Sequence, residues 1–267
     1  MPEAEVDSNQ TGELVALDAN STALLDAVKI GDAEAALAAL EQDATVESTD
    51  ENGAQALHWA AFNGLDKVVV QLVKQSASVQ AKQHDGRQPL HMAADGGQGE
   101  TVKVLLELGA SVDACEEDGG QAIHWSALGG HLSIVQMLLD ASAAIDAQQE
   151  DGRQPIHLAA DGGHVEMLKA LLAQRADVNA NEEDGATPLH WAAHSGHTVA
   201  ISALLESGAD IHATDGYGRQ PVQMAIAREQ AQAVSFLVEQ GAAVAEAPDF
   251  AEVSQALLNS QMGVGGG

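Results

Sequence analysis

The sequence predicts an all-α solenoid of stacked helix-turn-helix units joined by β-hairpin-like loops, and three observations predict it. Glycines fall at Gly53, Gly86, Gly119, Gly152, Gly185 and Gly218, each 33 residues after the last. Histidines keep the same step at His58, His91, His124, His157 and His190, with Gln223 in the sixth place. A second glycine series runs Gly64, Gly97, Gly130, Gly163 and Gly196 and fails only at Glu229. Three series on one period mark a tandem array. Units this short cannot each bury an apolar face alone, so neighbours must stack.

The elements follow in order. Residues 1–17 are acidic and turn-rich, which predicts a flexible lead-in. At 18–49, Ser21-Thr22 gives a capping signal before Ala23–Ile30, and Gly31-Asp32 breaks the helix before a second apolar run at Ala33–Leu40. That pattern is a helical hairpin serving as a capping unit. Full units then occupy 50–82, 83–115, 116–148, 149–181, 182–214 and 215–244.

The stretch Glu150–His164 displays the unit's logic. Asp151-Gly152 suits a tight turn, Pro155 fits a first helical position, and Gly162-Gly163 stops the helix. Val165, Leu168, Leu171 and Leu172 then recur at helical spacing, giving a second, amphipathic helix that ends near Gln174. Segments such as Asp177–Ala180 are too short for helix and lead into a hairpin-like connection. Beyond the array, Pro248-Asp249 predicts a capping helix within 245–260, and the glycine-rich 261–267 is expected to be disordered.

Composition narrows the function. Hydrophobic residues make up 45% of the chain and aromatics 3%, as small, closely packed helices require. A net charge of −29 repels phosphate backbones and anionic membranes, and favours a partner with a basic surface. One cysteine, Cys115, excludes an internal disulfide framework, and its neighbours Glu116 and Glu117 disfavour a reactive thiolate. Met1–Gln10 carries acids where a secretory signal needs a basic start, and no segment approaches the ~18 apolar residues of a membrane span. The expected setting is the cytosol or nucleus.

The boxes Thr187-Pro-Leu-His-Trp-Ala-Ala193, Gln88-Pro-Leu-His-Met-Ala-Ala94 and Gln154-Pro-Ile-His-Leu-Ala-Ala160 closely resemble the ankyrin repeat signature. Gly208-Ala-Asp-Ile-His-Ala213 resembles that family's usual repeat ending. The resemblance spans roughly 18–244. It departs at Ala56 and Ala122, which replace the box proline, and in the last unit, which lacks the histidine and second glycine.

The resemblance implies that His58, His91, His124, His157 and His190 are structural, bridging neighbouring units by hydrogen bonds. It also implies contact positions for a protein partner at hairpin tips and at the ends of first helices. On this chain the tips are His84, Asp85, Arg87, Glu117, Asp118, Glu150, Asp151, Arg153, Tyr217 and Arg219. The helix ends are Phe62, Asn63, Asp95, Leu128, Asp161 and His194. The context of Asn179 resembles the hairpin asparagine that asparaginyl hydroxylases modify.

A second period lies inside the first. Trp59, Trp125 and Trp191 are 66 residues apart, as are Arg87, Arg153 and Arg219, so the repeating object is a pair of units. Duplication of a two-unit segment accounts for this without function. The arginines either neutralise nearby acids or act as recognition charges. The tryptophans either pack within the stack or form a recognition stripe.

No catalytic constellation is visible: no phosphate loop, no nucleophile elbow, no paired acid and base. His190, His194 and His197 share helical spacing, but two of them belong to the repeat pattern, and no cofactor or metal is expected. The expected function is a non-catalytic adaptor or regulator, monomeric alone, that binds another protein through hairpin tips and first helices. The alternative is a structural subunit or assembly factor embedded permanently in a larger complex.

Overall fold

A computed structural model describes residues 18–243. The lead-in expected at 1–17 and the cap and tail expected over 245–267 lie outside the described residues. Within them the chain forms fourteen helices in seven pairs. The pairs are α1 (Ala19–Lys29) with α2 (Ala33–Glu41), α3 (Ala56–Phe62) with α4 (Asp66–Lys74), and α5 (Pro89–Asp95) with α6 (Gly99–Glu107). Then come α7 (Ala122–Leu128) with α8 (Leu132–Asp140), α9 (Pro155–Asp161) with α10 (Val165–Ala173), α11 (Pro188–His194) with α12 (Thr198–Glu206), and α13 (Pro221–Ala227) with α14 (Ala231–Glu239). No helix among the described residues is long and apolar enough to cross a membrane.

Odd-numbered helices pack on one another in one layer and even-numbered helices in a second, with the odd layer in closer contact. The reason is in the side chains. Ala60, Ala93, Ala159, Ala192 and Ala225 are fully buried on the odd helices and let them approach. Leu57, Leu90, Ile123, Ile156, Leu189 and Val222, one per unit, fill the space behind them. Val69, Val102, Val135, Leu168, Ile201 and Val234 hold the matching position in the even layer. Each such side chain contributes roughly 1.5–3 kcal/mol by leaving water.

The first helix begins earlier than its sequence signal suggests. Asp18, not Ser21 or Thr22, is the N-cap, and its Oδ1 accepts from the Ser21 amide at 2.7 Å. An aspartate accepts this bond as readily as serine or threonine, and Asp18 stands at the earlier turn. Elsewhere Pro89, Pro155, Pro188 and Pro221 each open a helix, where a missing N–H has no cost. Ala56 and Ala122 start α3 and α7 in the same place without it.

Two ladders of side chains tie the units together. In the forward ladder, Nδ1 of each box histidine accepts the amide N–H of the residue that caps its helix, at 3.0–3.1 Å. A backbone amide can only donate, so Nδ1 carries no proton and the ring hydrogen sits on Nε2. That Nε2–H donates to the next hairpin: Ala81 O for His58, Ala114 O for His91, Ala147 O for His124, Ala180 O for His157 and Arg219 O for His190, at 2.9–3.0 Å. Gln223 supplies the accepting half in the last unit, taking the Gln220 amide at 2.7 Å.

A backward ladder runs beside it. His131 Nε2 lies 3.2 Å from Asp95 O, and His164 Nε2 lies 2.7 Å from Leu128 O. Gln230 reaches His194 O in the same way at 3.3 Å. This explains the second glycine series. At Gly130 (φ +71) a Cβ would lie 2.6 Å from His164 Nδ1, so the position needs both a left-handed backbone and an absent side chain.

Candidate functional site

The hairpin tips stack on one another through a third, purely backbone rail. His84 N donates to Asn52 O, Glu117 N to Asp85 O, Glu150 N to Asp118 O and Glu183 N to Asp151 O, at 2.8–3.0 Å, and Gly216 N reaches Asp184 O at 2.6 Å. Within each tip the Asp-Gly turn is closed by a bond such as Gln149 N to Arg153 O. The charged tip residues thus sit at fixed intervals on a continuous edge.

Of the tip residues singled out by sequence, His84, Glu117, Asp118, Glu150 and Tyr217 are exposed, while Arg87, Arg153 and Arg219 are half-buried. Arg87 is the most constrained. Its Nε donates to Glu116 Oε2 of the following unit at 3.0 Å, and Asp85 and Asp95 each stand 3.5 Å away. Its guanidinium carbon lies 3.7 Å from the ring centroid of Trp125. Arg153 instead pairs with Asp151 at 2.6 Å, 5.3 Å from the Trp191 ring. Arg219 is held on Asp215 at 2.8 Å and leans toward Tyr217. Arg87 and Arg153 thus each face the indole of the following unit, whereas Arg219 stays with Tyr217 of its own unit and Trp59 is faced by Lys29.

Electrostatics follow burial. Burial pushes the Glu116 carboxyl above its usual range, although Arg87 offsets part of this. Glu182 is raised by burial and further by the charges of Asp151 and Asp184. Burial also acts upward on Asp215, but hydrogen bonds from Arg219 and the Tyr217 amide outweigh it, and the group lies below the ordinary value.

Among the helix-end residues, Phe62 meets Trp59 edge-on, with centroids 6.2 Å apart, and Asn63 donates to Val28 O at 2.8 Å. Asp161 accepts from Ser195 Oγ of the next unit rather than pairing with Arg153. His194 tilts against Trp191, and burial lowers its pKa. Leu128 remains 37% exposed and Tyr217 68% exposed. Leu128, Arg153 and Asp161 are brought together around a small recess of about 110 Å³ floored by Trp125 and Leu158. Beside it, between tips, opens an acidic cleft of about 540 Å³ walled by Glu116, Asp118, Glu150 and Glu183.

Other sequence candidates lie elsewhere. His190 uses both ring nitrogens inside the stack, and among the described residues no three His, Cys, Asp or Glu side chains converge as metal ligands do. Asn179 bridges to the next unit, its Nδ2 donating to Gly208 O and its Oδ1 accepting from the Asp210 amide. Cys115 is exposed and unpaired.

Comparison with known proteins bears on this geometry. A family model described as ankyrin repeats (3 copies) matches residues 24–116, 67–151, 90–182, 123–215 and 156–247. Among solved structures, the chain is similar to the human ASB11 ankyrin repeat domain, with a TM-score of 0.72 at 26% identity. That alignment covers 83% of this chain and 99% of the other. No curated protein matches the chain.

Proposed function

The chain belongs to the ankyrin repeat family, whose repeats are in general protein–protein interaction modules, and from that premise we propose a non-catalytic adaptor or regulator. It engages a folded partner or an extended peptide of another protein with its hairpin tips and first helices. The observation that carries this reading is the recess shared by Leu128, Arg153 and Asp161, opening beside an acidic cleft on the same edge. An exposed leucine and tyrosine supply the apolar anchors that interfaces use, and the surrounding carboxylates set orientation and favour a basic partner. With each box histidine committed to two hydrogen bonds, its part is to hold the stack rather than to touch a ligand.

Capture from native extract tests the proposal. The wild-type chain, a Leu128→Glu/Tyr217→Ala variant and a Leu132→Ala/Val199→Ala variant altered on the second helices are compared as baits. The proposal expects a partner to be recovered by the first and third baits and lost by the second. Equal recovery by all three would move the interface away from the tips and first helices.

A further inference from the structure

Each tryptophan-bearing unit also carries an acid nine positions earlier: Asp50 before Trp59, Glu116 before Trp125, and Glu182 before Trp191. In the first copy, Lys29 Nζ lies 3.1 Å from Asp50 Oδ2 and 5.8 Å from the Trp59 centroid. In the second, Arg87 spans Glu116 and Trp125 at 3.0 Å and 3.7 Å. Both times the preceding unit supplies a cation that pairs with the acid and lies over the indole, and in the first copy Asp50 also accepts the Trp59 indole N–H directly at 3.0 Å.

The third copy departs from the pattern at the acid. Arg153, the counterpart of Arg87, pairs with Asp151 of its own hairpin instead, and its guanidinium carbon lies over the Trp191 ring at 5.3 Å, short of the close stacking that Arg87 makes at 3.7 Å. Glu182 has no ion-pair partner among the described residues. The indole N–H of Trp191 is buried without an acceptor, as is that of Trp125. Glu182 and Trp191 line one cleft of about 310 Å³, together with Asp151, Asp184, Asp215 and Arg219. Arg153 and Arg219 are each held by an aspartate there, so the uncommitted charge in the cleft is negative.

We propose that this third copy takes the cation that pairs with its acid from outside. The cleft between Glu182 and Trp191 receives an arginine side chain of the protein partner, which pairs with Glu182 and stacks on the indole as Arg87 does between Glu116 and Trp125. The inference rests on reading this edge as a protein-binding face and adds the chemistry of one contact. Arginine fits better than lysine because a planar guanidinium stacks on a ring while its N–H groups donate in plane, whereas an ammonium cannot do both as closely. The internal copies follow that order, with Arg87 much nearer its indole than Lys29 is to its own.

The test uses the full chain labelled with nitrogen-15, whose three tryptophans give three indole resonances, with Trp191 assigned by Trp191→Phe. Blocked Gly-Arg-Gly and its Gly-citrulline-Gly counterpart, equal in shape but uncharged, are titrated as probes. The arginine peptide is expected to shift the Trp191 resonance saturably and leave Trp125 in place, while citrulline shifts neither. Glu182→Gln should weaken the arginine effect about tenfold or more, the factor that one charge-assisted hydrogen bond carries. Unchanged Trp59 and Trp125 resonances show that this variant is folded. If both peptides shift Trp191 alike, if neither does, or if Glu182→Gln binds as tightly, the inference fails. Loss of partner capture on changing Leu128 and Tyr217 would then still stand, so the two failures are distinct.

Discussion

The guanidinium carbon of Arg87 sits 3.7 Å from the ring centroid of Trp125, a residue of the next unit in the stack. The contact joins two series that repeat every second unit into one strut, with Glu116 fixing the guanidinium from the side at 3.0 Å. Arg87→Gln is expected to lower unfolding stability by about 1–2 kcal/mol. A double-mutant cycle with Trp125→Leu, read by urea denaturation, should return a coupling of about 1 kcal/mol. Strict additivity would reduce the contact to mere proximity.

The box histidines predict a pH dependence. Burial brings His91 and His157 down to about 4 from an ordinary 6.5, with backbone bonds at Nε2 opposing part of the effect. Between those values the unfolded chain takes up protons that the folded chain refuses. Their contribution is therefore intact above pH 6.5 and is lost as pH falls toward 4. At roughly 1.4 kcal/mol per pH unit, each ring accounts for about 3 kcal/mol over that window. His157→Gln, patterned on Gln223, should cost about 1–2 kcal/mol at neutral pH through the lost Nε2 bond. The same variant should lose less stability than wild type on acidification from pH 6.5 to 4. Parallel pH profiles would show that the ring is not held neutral.

Backbone strain gives a prediction of opposite sign. The second helices end in a left-handed residue, which is glycine at Gly109 and Gly208 but serine at Ser142, where φ is +75. A side chain in that conformation is strained by about 1 kcal/mol. Ser142→Gly should therefore raise stability by a few tenths to 1 kcal/mol, measured as a higher urea midpoint at constant slope. A lower midpoint would mean that the serine side chain makes contacts outweighing the strain.

The backward ladder makes the converse case. Gly130→Ala adds a methyl 2.6 Å from His164 Nδ1 and is expected to destabilise by about 2 kcal/mol or more, φ strain included. His164→Ala removes the obstructing ring, so the double variant should be less unstable than the sum of its single changes. Plain additivity would show that the ring is not what the glycine accommodates.

What could be read from sequence alone was what repeats within a single unit. The 33-residue series of Gly53 and His58 and the apolar positions behind them specify the helix pair and its stacking, because the same residue recurs at the same place in every unit. Relationships across units were harder to read. Arg87 and Trp125 stood out separately, yet nothing local says that one lies on the other. His131 and His164 share a 33-residue spacing and each follows a glycine, yet nothing local shows that their rings reach the carbonyls of the preceding unit. The acid series Asp50, Glu116 and Glu182 was present as well, hidden among 40 acids, and gains meaning only once the tips are stacked. Glu116, the nearest partner of Arg87, comes from the next unit, whereas Asp85 and Asp95, close to Arg87 in sequence, stand farther from it in space.

The most direct test of the account is a hydrogen–deuterium exchange footprint of the chain in complex with a partner recovered by capture. The proposal predicts slowed exchange around residues 84–87, 117–120, 150–153 and 216–219 and at the ends of the first helices near Leu128 and Asp161, with the second helices unchanged. Protection confined to the second helices, at α8, α10 and α12, would contradict it.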